Sequence, residues 1–569
     1  MFVPYLDGQA QKEFQTFAFG GLNRCNFSKP GELADIKNMT ADEFPFLSNC
    51  ANKNTVQINT EIKNIQGFVS QGDETEEFLG FTGVADGVFY YKDAPIPFAY
   101  DYMSIPTDER VELINIADRI IIAPRMYCYE YKNPKKKNKV YPLPKGLYND
   151  YIKVESAQDN DKPITLTKAD NKKSWEDEGF CVGESIMIET EEEGFSRLNV
   201  YVQKNKYDND ADYRVIFNAV IDSISGLTMK VKLFNCDGDI IDVTDSSGEF
   251  INHEFKKTLR VYKRFPRFKN ICAHANRIWA TTEDGESIYA SAPGDIDEFA
   301  RYAGLSTDSW FTNVGEYGEF TGITAFRDGV VAFKKSNIYH IYGDRPTNFS
   351  IAKRFSNCGC IDARTICETD TYVFFAGIDD IYEYSGGTPV GIGEKLNISE
   401  FFCGAAFADG KKYYISCNGE NKLFVYDRTC GLWHIEGEFE ILSGVRFKDK
   451  LYFATVNSVL EVTKNHDNEW SATLCDITEQ NMSHKGINDI FIRVINGENS
   501  DVFVWVSQNG GEFKLCGKRN EPGEYTFRVP VRFRKGDKYS IKFSGKGRCI
   551  IKDMKRSIYI GGGAFTRKG

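Results

Sequence analysis

Short runs of apolar and polar residues, separated by tight polar turns, recur in a fixed order along the second half of the chain. Ile323-Thr324-Ala325-Phe326, Gly329-Val330-Val331-Ala332-Phe333 and Asn337-Ile338-Tyr339-His340-Ile341-Tyr342 make one set. Tyr372-Val373-Phe374-Phe375-Ala376 with Asp380-Ile381-Tyr382-Glu383-Tyr384 makes a second, and Lys412 to Ser416 with Lys422 to Asp427 a third. Lys450 to Ala454 with Ser458 to Val462 makes a fourth. The last strand of each set is marked at 338, 381, 423 and 459, and Ser287-Ile288-Tyr289-Ala290 fits one step earlier. Two further candidates lie near Gly87 to Tyr91 and Arg119 to Tyr131. A period of roughly 40 residues carrying short strands is the pattern of a β-propeller blade. The count predicts about seven blades, give or take one, with Phe14 to Phe19 expected to close the ring against the last.

The period fails twice. Residues 147–258 have their own alternation (Leu198-Asn199-Val200-Tyr201-Val202; Met229-Lys230-Val231-Lys232-Leu233), which predicts a β domain inserted in a blade loop, where insertions are tolerated. Beyond residue 479, Phe491 to Ile495, Asp501 to Val506, Tyr525 to Val529 and Tyr539 to Phe543 alternate between turn signals and predict a small β-sandwich. The expected division is therefore 1–146 as an N-terminal arm and first blades, 147–258 as the insert, 259–478 as the remaining blades and 479–569 as the sandwich.

Composition agrees with an all-β chain: 14% of its 569 residues are aromatic, with 43 Phe, 30 Tyr and 49 Gly to supply turns. Charge is divided unevenly. Residues 501–569 carry 16 Lys+Arg against 6 Asp+Glu, while 147–258 carry 13 against 23. The uneven balance points to charged surfaces that select partners. Fifteen Cys without paired spacing read as reduced thiols made in a cytoplasm. The first residues lack a signal-peptide pattern, and the apolar runs are of strand length, so no membrane span is expected.

Candidate chemistry is sparse. The six His never stand four apart, and there is no phosphate-binding glycine loop or nucleophile elbow. Asp379-Asp380 could serve acid/base work, but their place between two strands reads as a turn, and two carboxylates at Asp237-Gly238-Asp239 are too few for calcium. Neither a catalytic residue, nor a cofactor, nor a metal is therefore assigned. Lys135, Lys136, Lys137 and Lys139 read as a solvated hairpin tip. In the C-terminal series Arg528, Arg532, Arg534, Lys535, Lys538, Lys542, Lys546 and Arg548 several members stand two apart, which strand periodicity puts on one side, with Arg528, Arg532, Arg534 and Lys535 as the candidate interface. With no interleaved aromatic platform to hold bases, an acidic protein surface is the favoured partner over DNA. Trp310, Phe311 and Phe320 are candidate exposed anchors at loop tips, with packing between blades as the plainer reading.

Several segments resemble a family of structural proteins from tailed phages and prophages of Gram-positive gut bacteria. They are Asn276-Arg277-Ile278-Trp279, Tyr289 to Asp295, Thr307-Asp308-Ser309-Trp310, Gly318 to Gly322 and Tyr384 to Pro389. Phe19-Gly20-Gly21-Leu22-Asn23-Arg24, Gly31-Glu32-Leu33 and Phe44 to Ser48 carry the same likeness. Such proteins are similar to the propellers that stabilise packaged DNA in short-tailed phages. The resemblance implies a non-enzymatic virion protein made in the host bacterial cytoplasm, at or near the head–tail or tail assembly. It would act as a rigid platform for capsid, portal, connector or tail proteins, in multiple copies within a symmetric assembly. The alternative is a receptor- or carbohydrate-binding tail protein that uses the propeller face. The C-terminal run Ile560 to Phe565 departs from the family's usual ending.

Overall fold

Seven four-stranded antiparallel sheets form the body of the computed structural model. The structure describes residues 11–72, 78–99, 103–143, 147–155, 163–190, 215–234, 240–241, 252–254, 259–263, 267–301, 305–479, 484–531 and 536–560. Blade 1 starts at Ile65–Phe68, blade 2 at Glu112–Ile116, blade 3 at Phe268–His274 and blade 4 at Phe320–Phe326. Blades 5, 6 and 7 start at Cys367–Glu368, Gly404–Ala408 and Ser443–Phe447. The fold is an all-β, seven-bladed propeller with two further β domains. Among the described residues, helix is confined to two single 3-10 turns, Ala363–Thr365 and Glu394–Leu396.

The reason for the repeat pattern is visible in the second strands. Arg277–Thr282, Gly329–Lys334 and Lys412–Cys417 are buried at every position, because neighbouring blades cover both faces. A strand covered twice needs a continuous apolar run, whereas its neighbours alternate. The blade 3 hairpin turns through Ala275 and Asn276, both at positive φ, the mirror-image turn whose twist suits antiparallel strands.

Ring closure differs from expectation. The fourth strand of blade 7 is Lys53–Thr55, which pairs with Val459–Val462. Gln11–Thr16, which contains Phe14, instead pairs along Cys549–Ile560 in the C-terminal sandwich. That sandwich has a six-stranded sheet containing Gln11–Thr16, Met39–Thr40, Leu47–Asn49, Lys485–Asn496, Gly523–Pro530 and Cys549–Ile560. Its five-stranded partner contains Leu33–Lys37, Glu469–Leu474, Asp501–Gln508, Lys514–Arg519 and Tyr539–Lys546. Both ends of the chain thus build one domain, and the sandwich begins at Glu469 rather than after 478. Pairing between distant segments leaves no periodic trace, so spacing could not show it.

The insert is a nine-stranded antiparallel sheet running from Leu147–Asp150 to Leu259–Lys263, the two end strands paired to each other. It therefore extends through Lys263 rather than stopping at 258. It encloses its own core around Trp175, Phe180, Ile186, Val231 and Val261. The Leu198–Val202 run and the Asp237-Gly238-Asp239 tip lie outside the described residues.

Candidate interaction surfaces

Of the four basic candidates, Arg528 is described, and Arg532, Arg534 and Lys535 lie outside the described residues. Arg528 projects from Gly523–Pro530 and donates to Asp489, Nε to Oδ1 at 2.6 Å and Nη2 to Oδ2 at 2.9 Å. Its neighbours are paired in the same way. Lys538 meets Asp476 at 2.5 Å, Lys552 meets Glu524 at 2.9 Å, Lys555 meets Glu13 at 3.1 Å and Arg556 meets Glu479 at 2.9 Å. Most of these acids come from segments outside 501–569. Taken over 11–49 and 469–560, the sandwich carries 20 Lys+Arg and 16 Asp+Glu, so the strong basic excess of the terminal segment is largely offset once the domain is assembled.

The aromatic candidates are strand residues rather than loop tips. Phe320 opens the innermost strand of blade 4, is fully buried, and meets Tyr339 edge-on at 5.8 Å. Trp310 is half-buried on the outermost strand of blade 3, wedged between Trp279 at 5.7 Å and Phe349 at 5.5 Å. Both serve packing within and between blades, because the side chain on the covered face of a blade strand has nowhere else to go. Phe311, on the opposite face of that strand, is 51% exposed and stacks on Tyr289 at 5.5 Å and 20°. It lines a cleft of about 880 Å3 between the insert (Gly183, Ser185) and blade 3 (Arg267, Asp284, Phe299).

The acids weighed for catalysis are turn residues. Asp380 Oδ1 accepts from the backbone N–H of Ile381 at 2.7 Å and of Gly393 at 2.7 Å, and the Tyr382 hydroxyl donates to Asp379 at 2.8 Å.

Two features escaped the sequence. The first is the seat of the sandwich on blade 6. Leu22 N–H donates to Trp433 O at 2.6 Å, and a Cβ on Gly21 would stand 2.5 Å from that same oxygen, so only glycine allows this approach. Arg24 Nη1 reaches both oxygens of Glu420 at 3.1 Å, and Glu32, held low by bonds from Lys395, Lys29 and Asn23 against its burial, takes Lys395 Nζ at 2.5 Å.

The second is the axial channel of the ring, about 870 Å3, lined by inner segments of all seven blades. Blade-to-blade bonds frame it: Val111 N–H to Gln66 O at 3.2 Å, Ile271 N–H to Glu112 Oε2 at 3.1 Å, Thr321 Oγ1 to Cys360 O at 2.7 Å, and Ser443 Oγ to Phe68 O at 3.3 Å. Glu112 is pushed up to about 7 by burial, which that single backbone bond offsets only in part. Arg110, Lys269, Lys334, Lys335 and Arg364 line the same channel. Most channel residues stand near the start of a first strand or beside a second-to-third-strand turn, so aligning the repeats by those starts would have found most of them, though not Arg364, which lies in the 3-10 turn before blade 5.

No family model matches the chain, and no curated protein matches it in sequence. Solved structures of similar fold include an exo-β-1,3-galactanase from Phanerochaete chrysosporium, 10% identical, over 56% of this chain and 98% of that one, with a TM-score of 0.21. BamB from Moraxella catarrhalis is 9% identical over 73% of this chain and 98% of its own, with a TM-score of 0.32. Likenesses of this order carry no functional argument.

Proposed function

We propose that the chain is a non-catalytic structural protein of a tailed bacteriophage particle, at or near the head–tail or tail assembly, where its ring is a rigid platform for other virion proteins. The observation that carries this reading is where the phage-like segments fall. Phe19 to Arg24 and Gly31 to Leu33 are the residues that seat the sandwich on blade 6, through Gly21, Arg24 and Glu32. Asn276 to Gly322 spans the blade 3 to blade 4 junction, where Arg277, buried, donates to the carbonyls of Ser291 and Asp308 at 2.6 Å each. The likeness therefore sits on residues that fix the shape of the platform, as expected where rigidity is what is selected. Mass spectrometry of gradient-purified particles tests the reading. The chain should co-purify at a fixed copy number per particle, and its absence from intact particles would sink the proposal.

A second reading rests on the Phe311 cleft. An exposed aromatic face beside Arg267 and Asp284 suits a sugar ring that stacks and hydrogen-bonds, as a receptor-binding tail protein would require. Purified protein should then block adsorption of the particle, and Phe311→Ala should lose that effect.

A further inference from the structure

The axial channel opens on the face where the first strand of each blade begins. Lys269, Glu319 and Leu442 stand at or just before such starts, Asp362 caps the 3-10 turn that leads into blade 5, and Lys335 lies in the turn between the second and third strands of blade 4. The channel's acids are already engaged. Glu319 faces Lys269 at 3.4 Å, Asp362 takes the Nε and Nη2 donors of Arg364, and the half-buried Glu112 carboxyl accepts from the Ile271 N–H. Its cations are not matched one for one. Among the described residues, Arg364 Nη1 has no hydrogen-bond partner and the exposed Arg110 has no hydrogen-bond or ion-pair partner, and Lys335 is exposed. A guanidinium carries five donors and does not shed its charge, and Arg110 lines the same channel as Arg364, so an added anion has donors from both within reach of one cavity. The volume falls within the roughly 300–1,000 Å3 usual for small-molecule sites.

We infer that the axial channel is an oxyanion-binding site, in which a carboxylate or phosphate group is held by Arg110 with Arg364 beside it and Lys335 at the mouth. Planar forked donors match such groups two oxygens at a time, which lysine does not. The site stands on the channel alone and does not depend on a place in a phage particle. A chain absent from particles could still bind the anion, and a particle protein could fail to.

Calorimetric titration of the full chain with inorganic phosphate and, separately, with citrate tests the inference. At least one probe should bind saturably, more weakly as salt is added. Arg110→Ala should weaken it tenfold or more with an unchanged melting temperature, and Arg110→Lys should restore only part. Arg345→Ala, in the turn between the third and fourth strands of blade 4 and so on the opposite face, should change nothing. Binding of phosphate alone assigns a tetrahedral ligand, and binding of citrate alone a carboxylate one. No saturable binding of either probe at low salt, or equal affinity in Arg110→Ala, overturns it.

Discussion

The two domains attached to the ring are joined to it by opposite means. The sandwich shares a core with blades 5 and 6: Phe19, Leu22, Leu33, Trp470 and Phe543 pack in one cluster with Phe374, Tyr413, Phe424 and Trp433. Polar groups reinforce the seam, where Lys412 Nζ meets Glu436 Oε1, Asp42 Oδ1 and Thr40 Oγ1, each at 2.8 Å. Among the described residues, the insert's core cluster contains no residue of the ring. Its described tie is a buried ionic group in which Lys263 Nζ reaches Glu184 Oε1 at 2.6 Å and Glu298 Oε2, in blade 3, at 2.9 Å. A shared apolar core makes two domains one cooperative unit, whereas a polar contact between separate cores leaves each to unfold on its own.

The largest effect should come from emptying the shared core. Trp433 is fully buried and donates its indole N–H to Ile392 O at 2.6 Å. Trp433→Ala should cost about 3–5 kcal/mol and lower one calorimetric transition that contains both ring and sandwich. Two resolved transitions in the wild-type chain for those two domains would break the comparison.

Lys263→Met should act on the insert alone. Removing one partner from a buried ionic group typically costs about 3–5 kcal/mol. The lower end is expected here, because burial raises Glu184 to about 7 and its charge is only partly present at neutral pH. The insert's unfolding transition should fall, read by proteolysis within residues 147–263, while the transition of ring and sandwich stays in place.

Acid should separate the junctions by sign. Burial and the bond to Glu298 raise Glu184 to about 7 from 4.5, against the pull of Lys263. The folded chain then holds a proton that the unfolded chain has released, so stability from this group is full below about 4.5 and is lost as pH rises through about 7. His434 runs the other way. Complete burial pushes it down to about 4 from 6.5, so its contribution is present above about 6.5 and is lost as pH falls towards 4. Glu184→Gln should flatten the insert's decline between about pH 4.5 and 7. His434→Gln should reduce the acid sensitivity of the shared transition. The same slope in both transitions, unchanged in the variants, would contradict this assignment.

The smallest effect is expected at Arg528. Its bond to Asp489 is well formed, but the Arg528 side chain is largely exposed while Asp489 is mostly covered, and a pair with one open partner contributes little. Arg528→Ala should leave the melting temperature within error.

The difference between the junctions also explains what could be read from the chain. Blades were legible because Ile288, Ile338, Ile381, Leu423 and Val459 recur on third strands, and local periodicity is a property of sequence. The seam was not, since Gly21 and Trp433 meet only after folding, and a glycine that must admit a carbonyl looks like any turn glycine. Phe320 was misplaced for a related reason. It follows a polar turn, Gly315 to Glu319, yet it is the first residue of a strand that faces inward. The basic terminal series was real in composition, but its acids arrive from Glu13, Asp476, Glu479 and Asp489, which no count over 501–569 includes.

The pairing of Gln11–Thr16 with Cys549–Ile560 has a consequence for how the chain is made. On the ribosome the first of these strands emerges before any blade, and its partner emerges after all of them. The ring can close once Val459–Val462 has met Lys53–Thr55, while the early strand still presents an open hydrogen-bonding edge. Nascent chains must therefore carry that edge through the whole of synthesis. A chaperone that shields it, or a slow supply of the last strands, would govern the yield of folded protein more than the stability of any blade.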